Sequence, residues 1–253
     1  MSLQGKTALV TGGGRGIGKA IAERLAHDGA RIIVAGRTLS DLEVVAGATS
    51  GIAIRMDVSE RASIEAGLAK IQEQGERVDI LVNNAGVAES APLDKTYDAL
   101  WEHMMAVNVT GAFRLARALI PSMVSAGWGR VINIASNAGV TGYAYSSAYC
   151  ASKHALVGMT RAIAVEIALT PVTINAICPG WVATRMVDET VTRIAEKTGR
   201  GAAEARTSLE RMSPQRRIFE PSEVAHLVAT LCADEARSVH GQAIVIDGGQ
   251  VMV

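Results

Sequence analysis

The segment TALVTGGGRGIGKAIAERLAH, residues 7–27, decides the fold class of this 253-residue chain. It begins with a short apolar run, as expected of a strand that is buried on both faces. A glycine-rich turn, Thr11–Gly18, follows the run, and the pattern over Ile17–His27 predicts a helix. Glycines in such a turn let the backbone approach a phosphate closely, and the free amides of the helix N-terminus meet its negative charge. The segment therefore predicts a strand–turn–helix unit that binds a pyrophosphate.

The spacing of the glycines narrows the kind of phosphate site. Gly12, Gly16 and Gly18 follow the pattern Gly-x-x-x-Gly-x-Gly rather than the commoner dinucleotide fingerprint. The phosphate loop of nucleotide hydrolases ends in Lys-Ser or Lys-Thr, whereas here Gly18 is followed by Lys19-Ala20. The turn is therefore not that of a nucleotide hydrolase. A tight turn from strand to helix also requires glycine, so the turn alone does not decide the function.

The same alternation of strand and helix runs along the whole chain. Short apolar runs predict seven strands: Thr7–Val10, Arg31–Ala35, Ile52–Met56, Ile80–Asn83, Val131–Ile134, Thr173–Ile177 and Ala243–Ile246. Helical patterns lie between them: Ile17–His27, Arg61–Gln74, Tyr97–Ala126 (broken near Asn108), Ala148–Ala168 and Ser222–Cys232. Strands that alternate with helices predict an α/β fold, in which a parallel sheet carries helices on both faces.

No linker, repeat or change of composition divides the chain, so residues 1–253 are predicted to form a single domain. One insertion interrupts the alternation. The 40 residues Trp181–Glu220, called the lid segment below, separate a predicted strand from a predicted helix. Insertions of this length in a compact domain are usually functional. The mixture of apolar and charged residues favours a mobile helical lid, and a surface appendage is the alternative.

Composition and charge exclude several classes of function. The chain has 25 Lys and Arg residues and 25 Asp and Glu residues, so it lacks the basic excess typical of nucleic-acid binders. No apolar run reaches the roughly 18 residues of a membrane span, and no signal peptide is visible at the N-terminus. The three cysteines have neither metal-site nor disulfide spacing, which indicates reduced thiols in a cytoplasmic protein.

Polar and glycine clusters follow several predicted strands at their carboxyl ends. They are Asp57-Val58, Asn83–Gly86, Ser136 and Pro179-Gly180. Ligands of open parallel sheets bind at this edge, so the shared position predicts one binding site there. Asp57 taken alone could be an ordinary turn residue. No metal site is predicted, because the five histidines are scattered without metal-ligand spacing.

The pair of residues that follows the second predicted strand bears on the choice between NADP(H) and NAD(H). In dinucleotide folds an acidic residue at this place usually binds the adenosine ribose hydroxyls, but here the residues are Gly36 and Arg37. A carboxylate would repel a 2′-phosphate, whereas a guanidinium pairs with one. With Arg15 as a second positive charge, the sequence favours NADP(H) over NAD(H). The alternative is that Arg37 is an ordinary surface arginine.

The segment Tyr149-Cys150-Ala151-Ser152-Lys153 lies at the start of a predicted helix. A separation of four residues places Tyr149 and Lys153 on the same helix face. The neighbouring ammonium is expected to lower the pKa of the phenol from its ordinary value of about 10. Tyr149 could then exchange a proton with a carbonyl or alcohol oxygen, and Ser136 could hydrogen-bond the same oxygen. The alternative is an incidental pair on a solvated helix face.

Taken together, these residues resemble the short-chain dehydrogenase/reductase family. The resemblance is carried by Thr11–Gly18, Asn83–Gly86, Asn108, Ser136, Tyr149-x-x-x-Lys153 and Pro179-Gly180, and it extends from about Lys6 to the C-terminus. It implies a Rossmann-like, doubly wound parallel sheet of seven strands and a nicotinamide cofactor. The stretch Tyr149–Met186 is also similar to bacterial 3-oxoacyl and polyketide ketoreductases.

The resemblance implies a role for each of four polar residues. Tyr149 would be the acid/base, and Lys153 would bind the nicotinamide ribose and tune Tyr149. Ser136 would orient the substrate oxygen, and Asn108 would hold a water in a proton relay. Asn108 on its own could also be a helix kink or cap. The residues implied to contact the cofactor are Gly12, Arg15, Gly16, Ile17, Gly18, Arg37, Asp57, Val58, Asn84, Ala85, Gly86, Tyr149, Lys153, Pro179, Gly180, Val182 and Thr184.

The expected activity is hydride transfer between NADP(H) and a secondary alcohol or ketone, with a 3-oxoacyl thioester or a related small ketone as substrate. The alternatives are an NAD(H)-dependent alcohol or 3-hydroxyacyl dehydrogenase of the same family and a non-catalytic dinucleotide-binding sensor. A serine hydrolase is disfavoured, because no Gly-x-Ser-x-Gly elbow is present. The resemblance further implies a homotetramer or homodimer that packs through the helices Tyr97–Ala126 and Ala148–Ala168.

Overall fold

The computed structural model describes residues 2–252, and its strands form one seven-stranded sheet in the order β3-β2-β1-β4-β5-β6-β7. Every neighbouring pair is parallel. The strands are β1 (Thr7–Thr11), β2 (Arg31–Gly36), β3 (Ile52–Arg55), β4 (Ile80–Asn83), β5 (Gly129–Ile134), β6 (Val172–Pro179) and β7 (Ala243–Ile246). All seven predicted strands are confirmed, with ends that differ by at most two residues.

The described residues also form nine α-helices. They are α1 (Gly16–His27), α2 (Leu39–Thr49), α3 (Arg61–Glu73), α4 (Asp98–Met105), α5 (Gly111–Ser125), α6 (Ser147–Glu166), α7 (Arg185–Thr198), α8 (Ala202–Glu210) and α9 (Pro221–Cys232). The helix does not break near Asn108 as the sequence predicts. A single π-helical turn, Ala106–Thr110, joins α4 to α5, and the backbone stays right-handed helical across both junctions. An extra residue is accommodated in the turn instead of ending the helix.

Alternate residues of the central strands face two separate apolar layers. Val10 and Val34 belong to the layer that contains the buried residues of α1, α2 and α9. Leu9 and Ile33 belong to the opposite layer, which α3 and α5 cover. Strands buried on both faces must be apolar at every position, which is why the predicted strands appear as unbroken apolar runs. The Rossmann-like, doubly wound fold is confirmed.

The sheet order reverses between β1 and β4. From β1 the chain adds β2 and β3 on one side, and then returns to add β4 to β7 on the other. Connections therefore leave β1 and β4 in opposite directions and open a crevice at their carboxyl ends, which is where open parallel sheets bind ligands. This crevice collects the polar clusters that the sequence places after the strands.

The lid segment is helical, as the sequence predicts, and the structure divides it into two helices. Helices α7 and α8 share a small apolar core of their own, formed by Val187, Val191, Ala205, Leu209 and Ile218. At its base the two ends of the segment run side by side. The Phe219 amide donates to the Trp181 carbonyl and the Ala183 amide donates to the Phe219 carbonyl, both at 2.8 Å. The lid is thus a small helical unit fixed at its base to the main sheet.

Candidate active site

The glycine-rich turn after β1 packs so tightly that side chains are excluded from four of its positions, Gly12, Gly13, Gly14 and Gly18. Gly12 has a φ of +63° and Gly16 a φ of +53°, both in the left-handed region that favours glycine. A Cβ at Gly12 would lie 2.9 Å from the Asn84 side-chain nitrogen, and a Cβ at Gly18 would run into the Gly12 carbonyl oxygen. The turn therefore exposes backbone where the first helix begins.

Thr11 ties this turn to the end of β4. Its hydroxyl accepts from the amides of Asn84 (3.0 Å) and Ala85 (3.1 Å) and donates to the Val82 carbonyl at 3.3 Å. The Asn84 side chain donates in return to the carbonyls of Thr11 (2.9 Å) and Gly12 (3.2 Å). The two strands that flank the crevice are therefore fixed to each other at its floor. Ile17 lies beside them, partly buried against the core.

Three charged or polar residues occupy the outer end of the crevice. Arg15 precedes α1, Arg37 follows β2, and both are exposed. Asp57 follows β3, and its Oδ1 accepts from the Ser59 amide (2.9 Å) and hydroxyl (2.6 Å). Burial would raise the pKa of Asp57, but these hydrogen bonds and the charge of Arg37 lower it below its ordinary value. The charge of Arg37 thus acts on Asp57, which precedes the buried Val58.

The other end of the crevice is bounded by β6 and the start of the lid. Pro179 ends β6, and Gly180 lies so close to Asp247 that a Cβ there would be 2.7 Å from the Asp247 Cβ. The Val182 side chain is buried in the main core, so only its backbone is available to a ligand. Thr184 precedes α7 and lies against the glycine turn, with its Cγ2 3.1 Å from a Cβ built on Gly16. The lid therefore begins directly beside the glycine-rich turn that follows β1.

Asn108 sits inside the π turn, and both of its side-chain N–H groups are engaged. Its Nδ2 donates to the Val87 carbonyl (3.0 Å) and to the Ser152 hydroxyl (3.0 Å), and its Oδ1 accepts from the Val87 amide (2.9 Å). The side-chain amide has no N–H left for a water, so a relay water would have to donate to Oδ1 or to a backbone carbonyl. Gly86 lies alongside, where a Cβ would be 3.2 Å from Asn108 Oδ1 and 3.5 Å from Lys153 Nζ.

Ser136, Tyr149 and Lys153 meet at the carboxyl end of β5. The Ser136 hydroxyl accepts from the Ala138 amide at 3.1 Å, and its proton has only a long 3.5 Å contact with Asn137 Oδ1. Lys153 is 5% exposed, and its Nζ donates to the Ile134 carbonyl at 2.9 Å. The ammonium lies 5.8 Å from the centre of the Tyr149 ring. The predicted helix-face pair is therefore real, and it points into the crevice rather than into solvent.

The pKa values in this cluster depart from the expectation. Burial raises the pKa of Tyr149 above its ordinary value, and the neighbouring Ser136 hydroxyl opposes the rise without cancelling it. Burial lowers the pKa of Lys153 to about 8. The predicted lowering of the Tyr149 pKa by Lys153 is thus wrong for the chain itself, because loss of solvent is the largest effect on the phenol and Lys153 is not among the groups that lower its pKa. At neutral pH Tyr149 is a neutral phenol, the form that donates a proton.

A model of the short chain dehydrogenase family matches residues 6–195. The chain belongs to the short-chain dehydrogenase family. It is 41% identical to a D-beta-hydroxybutyrate dehydrogenase of Cupriavidus necator, over 98% of this chain and 99% of the relative. It is 36% identical to a 3-oxoacyl-(acyl-carrier-protein) reductase of Vibrio cholerae over the full length of both chains. The crystal structure of a single-residue variant of actinorhodin polyketide ketoreductase with NADPH matches with a TM-score of 0.94 and 36% identity, covering 99% of each chain.

Family membership confirms the resemblance drawn from the motifs, and the structure adds residues that the motifs do not reveal. Ser152 is fully buried, and its hydroxyl accepts from Asn108 and donates to the Tyr149 carbonyl at 2.8 Å. Asp247 follows β7, and its carboxylate accepts from the Asn137 side chain at 3.2 Å. Asp247-Gly248-Gly249 is a polar and glycine cluster at the end of a strand, so the rule applied to the other strands could have found it.

Two further expectations can be compared with the described residues. In residues 2–252, no three His, Cys, Asp or Glu side chains converge in a way that could hold a metal ion. No helix in this part of the chain is both long enough and apolar enough to cross a membrane.

Proposed function

We propose that the chain reduces a ketone to a secondary alcohol with NADPH, and that Tyr149 donates the proton. The observation that carries the proposal is the convergence of Ser136, Tyr149 and Lys153 beside the phosphate turn. The Ser136 hydroxyl has a proton to offer a carbonyl oxygen, and the raised pKa keeps Tyr149 protonated for donation. Both groups can thus bind the oxygen that becomes the alcohol.

The residues of the crevice fit a nicotinamide dinucleotide. The glycine turn leaves a cradle that a Cβ at Gly12 or Gly18 would fill, and the amides at the start of α1 suit a pyrophosphate. On the adenosine side, the proposed lining is Asp57, Val58, Asn84 and Ala85. On the nicotinamide side, the proposed lining is Pro179, Gly180, the Val182 backbone and Thr184. When bound, reduced nicotinamide supplies the hydride.

Arg37 supports a preference for NADPH. It is exposed at the carboxyl end of β2, where the partner residue of many dinucleotide sites is acidic, and Gly36 before it leaves no carboxylate to repel a 2′-phosphate. Arg15, at the N-terminus of α1, adds a second charge. The polyketide ketoreductase with 36% identity was solved with NADPH.

The substrate class that we propose is a 3-oxoacyl compound or a related small ketone, which is what the names of the Vibrio and Cupriavidus relatives indicate. An absorbance assay of cofactor oxidation tests it, with NADPH or NADH and with 3-oxobutanoate, its ethyl ester and a 3-oxoacyl thioester. NADPH-dependent reduction of at least one 3-oxo compound is expected. Binding of NADPH without any turnover would instead favour a dinucleotide sensor.

A second candidate is NAD(H)-dependent oxidation of a 3-hydroxy acid. The 41% identity to the hydroxybutyrate dehydrogenase favours it. The same assay run in reverse, with 3-hydroxybutanoate and either NAD⁺ or NADP⁺, separates the two candidates by the cofactor that gives the higher kcat/KM.

We further propose a homotetramer in the cytoplasm. Two separate groups of exposed apolar side chains support two interfaces. One group is Tyr97, Trp101 and Phe113 near α4 and α5, and the other is Val165 and Leu169 at the end of α6. Light scattering should give four copies for the wild type and fewer for Trp101→Glu, and cell fractionation tests the location.

The lid segment is proposed to move within a single domain of residues 1–253. Closure of the lid over the substrate would exclude water from the reacting carbonyl. Hydrogen exchange should be faster in α7 and α8 than in the sheet, and should slow in both helices when NADPH and a substrate are added.

A further inference from the structure

One arginine of the lid segment differs from the other six. Arg193 is half-buried, whereas the remaining arginines of Trp181–Glu220 are exposed. Four of those exposed arginines form ion pairs with nearby carboxylates: Arg185 with Glu189, Arg200 with Glu204, Arg206 with Glu210 and Arg217 with Glu223. The lid thus pairs charge readily on its outer surface, where solvent makes each pair worth little.

Arg193 has no such partner. Throughout residues 2–252, no carboxylate oxygen lies within 4.0 Å of its guanidinium nitrogens. Its hydrogen bond is to a neutral group, the Ser90 hydroxyl, which accepts from Nη1 at 3.3 Å. A guanidinium has five N–H donors in a fork that matches a carboxylate or phosphate. Partial burial weakens its hydration without supplying an anion in exchange.

The position of Ser90 places this guanidinium at the mouth of the active site. Ser90 lies in the loop between β4 and α4, and the next residue, Ala91, packs in the same apolar cluster as Tyr149. The Ala91 amide also donates to the Tyr145 carbonyl at 2.8 Å, in the loop that leads to α6. Arg193 therefore reaches from the lid to a loop that contacts the proposed proton donor.

The orientation of Arg193 is fixed by its neighbours on α7. Val191 is buried in the lid core and Ile194 packs against that core. The helix therefore cannot rotate to bring Arg193 to the outer surface without exposing them. The bond to Ser90 is the weak element of the arrangement, because a neutral hydroxyl replaces little of the hydration that a cation loses on burial.

We propose that Arg193 binds an anionic group of the substrate, so that the preferred ketones carry a carboxylate or phosphate away from the reacting carbonyl. The inference rests on the proposed function, because it names the substrate class of that same site. The guanidinium keeps free donors while it contacts Ser90, so the anion can bind beside the hydroxyl or displace it. Binding would then draw α7 toward the loop that contains Ser90.

The test compares three 3-oxo compounds with wild type and Arg193→Met. The probes are 3-oxobutanoate, which carries a carboxylate, its neutral ethyl ester, and 3-oxobutanoyl coenzyme A, which carries phosphates farther from the carbonyl. A hydrogen bond to a charged group supports a roughly ten- to hundredfold loss of kcat/KM for the anionic probe that the site takes. The ester should change by no more than about twofold. The probe that loses efficiency distinguishes a carboxylate from a phosphate.

Two matched variants separate recognition from structure. Arg185→Met removes an exposed arginine from the same helix and should leave all three probes unchanged. Ser90→Ala removes the hydroxyl that accepts from Arg193 but keeps the charge of Arg193, and should preserve the preference for the anionic probe. If Arg193→Met lowers kcat/KM equally for all three probes, or lowers it for none, the anion site is refuted.

A binding measurement keeps the test independent of turnover. The Kd of 3-oxobutanoate and of 3-oxobutanoyl coenzyme A, measured by calorimetry in the presence of NADP⁺, should rise about tenfold or more in Arg193→Met for one of the two. If wild type reduces no ketone but the Kd still rises in Arg193→Met, the proposed activity is refuted and the anion site is kept. Unchanged Kd values for both compounds would overturn the anion site even if the reductase activity is present.

Discussion

In residues 2–252, one cation is buried at the amino ends of the strands and one at their carboxyl ends, and only the first is paired with a carboxylate. At the amino edge, Arg130 is 2% exposed and its charge is met by Asp234, with an N–O distance of 3.2 Å, and by the Trp128 ring at 4.4 Å. At the carboxyl edge, Lys153 is 5% exposed and donates to a single backbone carbonyl. Among the described residues, no carboxylate pairs with Lys153.

The two cations also differ in how burial affects their protonation. Burial lowers the pKa of Arg130 while Asp234 raises it, and a guanidinium remains charged at any ordinary pH. Burial lowers the pKa of Lys153 to about 8, far closer to neutral pH than the pKa of a guanidinium. A cation left uncompensated beside a phenol is costly for stability, which supports the role in the site proposed for Lys153.

The largest effect is expected when the two cations are removed in turn. Lys153→Met should lower kcat/KM at least about a hundredfold, because the ammonium is proposed to hold the nicotinamide ribose and to neighbour the proton donor. Arg130→Met should leave kcat/KM within about threefold, since Arg130 lies at the opposite edge. Steady-state kinetics on one ketone would break the comparison if the two variants lost activity equally.

The cofactor preference should differ next most strongly. Wild type is expected to prefer NADPH over NADH by about ten- to a hundredfold, the range for a hydrogen bond to a charged group. Combining Gly36→Asp with Arg37→Leu should reverse the preference. Arg31→Leu, at the amino end of the same strand, is the matched control and should change nothing. Equal use of both cofactors by wild type would mean that Arg37 points into solvent.

Stability should respond in the opposite order. Arg130→Met should lower the free energy of unfolding by about 2 kcal/mol, through the lost ion pair, cation–π contact and hydrogen bonds. Lys153→Met should unfold no more easily than wild type at pH 7, because an uncompensated buried charge is removed. Denaturant unfolding of both variants measures the difference, and a large loss in Lys153→Met would show that the ammonium stabilises the fold.

The pH dependence of stability sharpens the same point. Below about pH 8 the folded chain carries the buried Lys153 ammonium at its full cost. Between about 8 and 10.5 the folded chain loses this proton before the unfolded chain does, so the contribution of Lys153 to stability rises with pH. Any advantage of Lys153→Met over wild type should therefore shrink by up to about 3 kcal/mol across this range. An advantage that is constant with pH would contradict the lowered pKa.

The smallest effect is expected at Ser152. Ser152→Ala leaves one Asn108 proton without its acceptor in a fully buried place, which should lower kcat up to about tenfold by loosening the π turn against α6. Ser147→Ala, on the exposed side of the same helix, should have no effect. Lower stability with unchanged kcat in Ser152→Ala would assign this hydroxyl to the fold alone.

The strands and their carboxyl-end clusters could be predicted from the sequence because buried parallel strands must be apolar throughout. The pairing of Tyr149 with Lys153 followed from helical spacing. The π turn at Asn108 could not be predicted, because it depends on contacts with Val87 and Ser152, which are 21 and 44 residues away. The direction of the Tyr149 pKa was also out of reach, because it depends on how deeply the tertiary fold buries the phenol.

The most direct test of the proton-donor role is Tyr149→Phe, which keeps the ring and removes the transferable proton. Single-turnover reduction of a ketone that wild type reduces should slow at least about a hundredfold, while the Kd of NADPH changes by less than about threefold. Near-normal single-turnover rates in Tyr149→Phe would contradict the account, because the carboxyl edge would then lack the proton donor on which the proposed reduction depends.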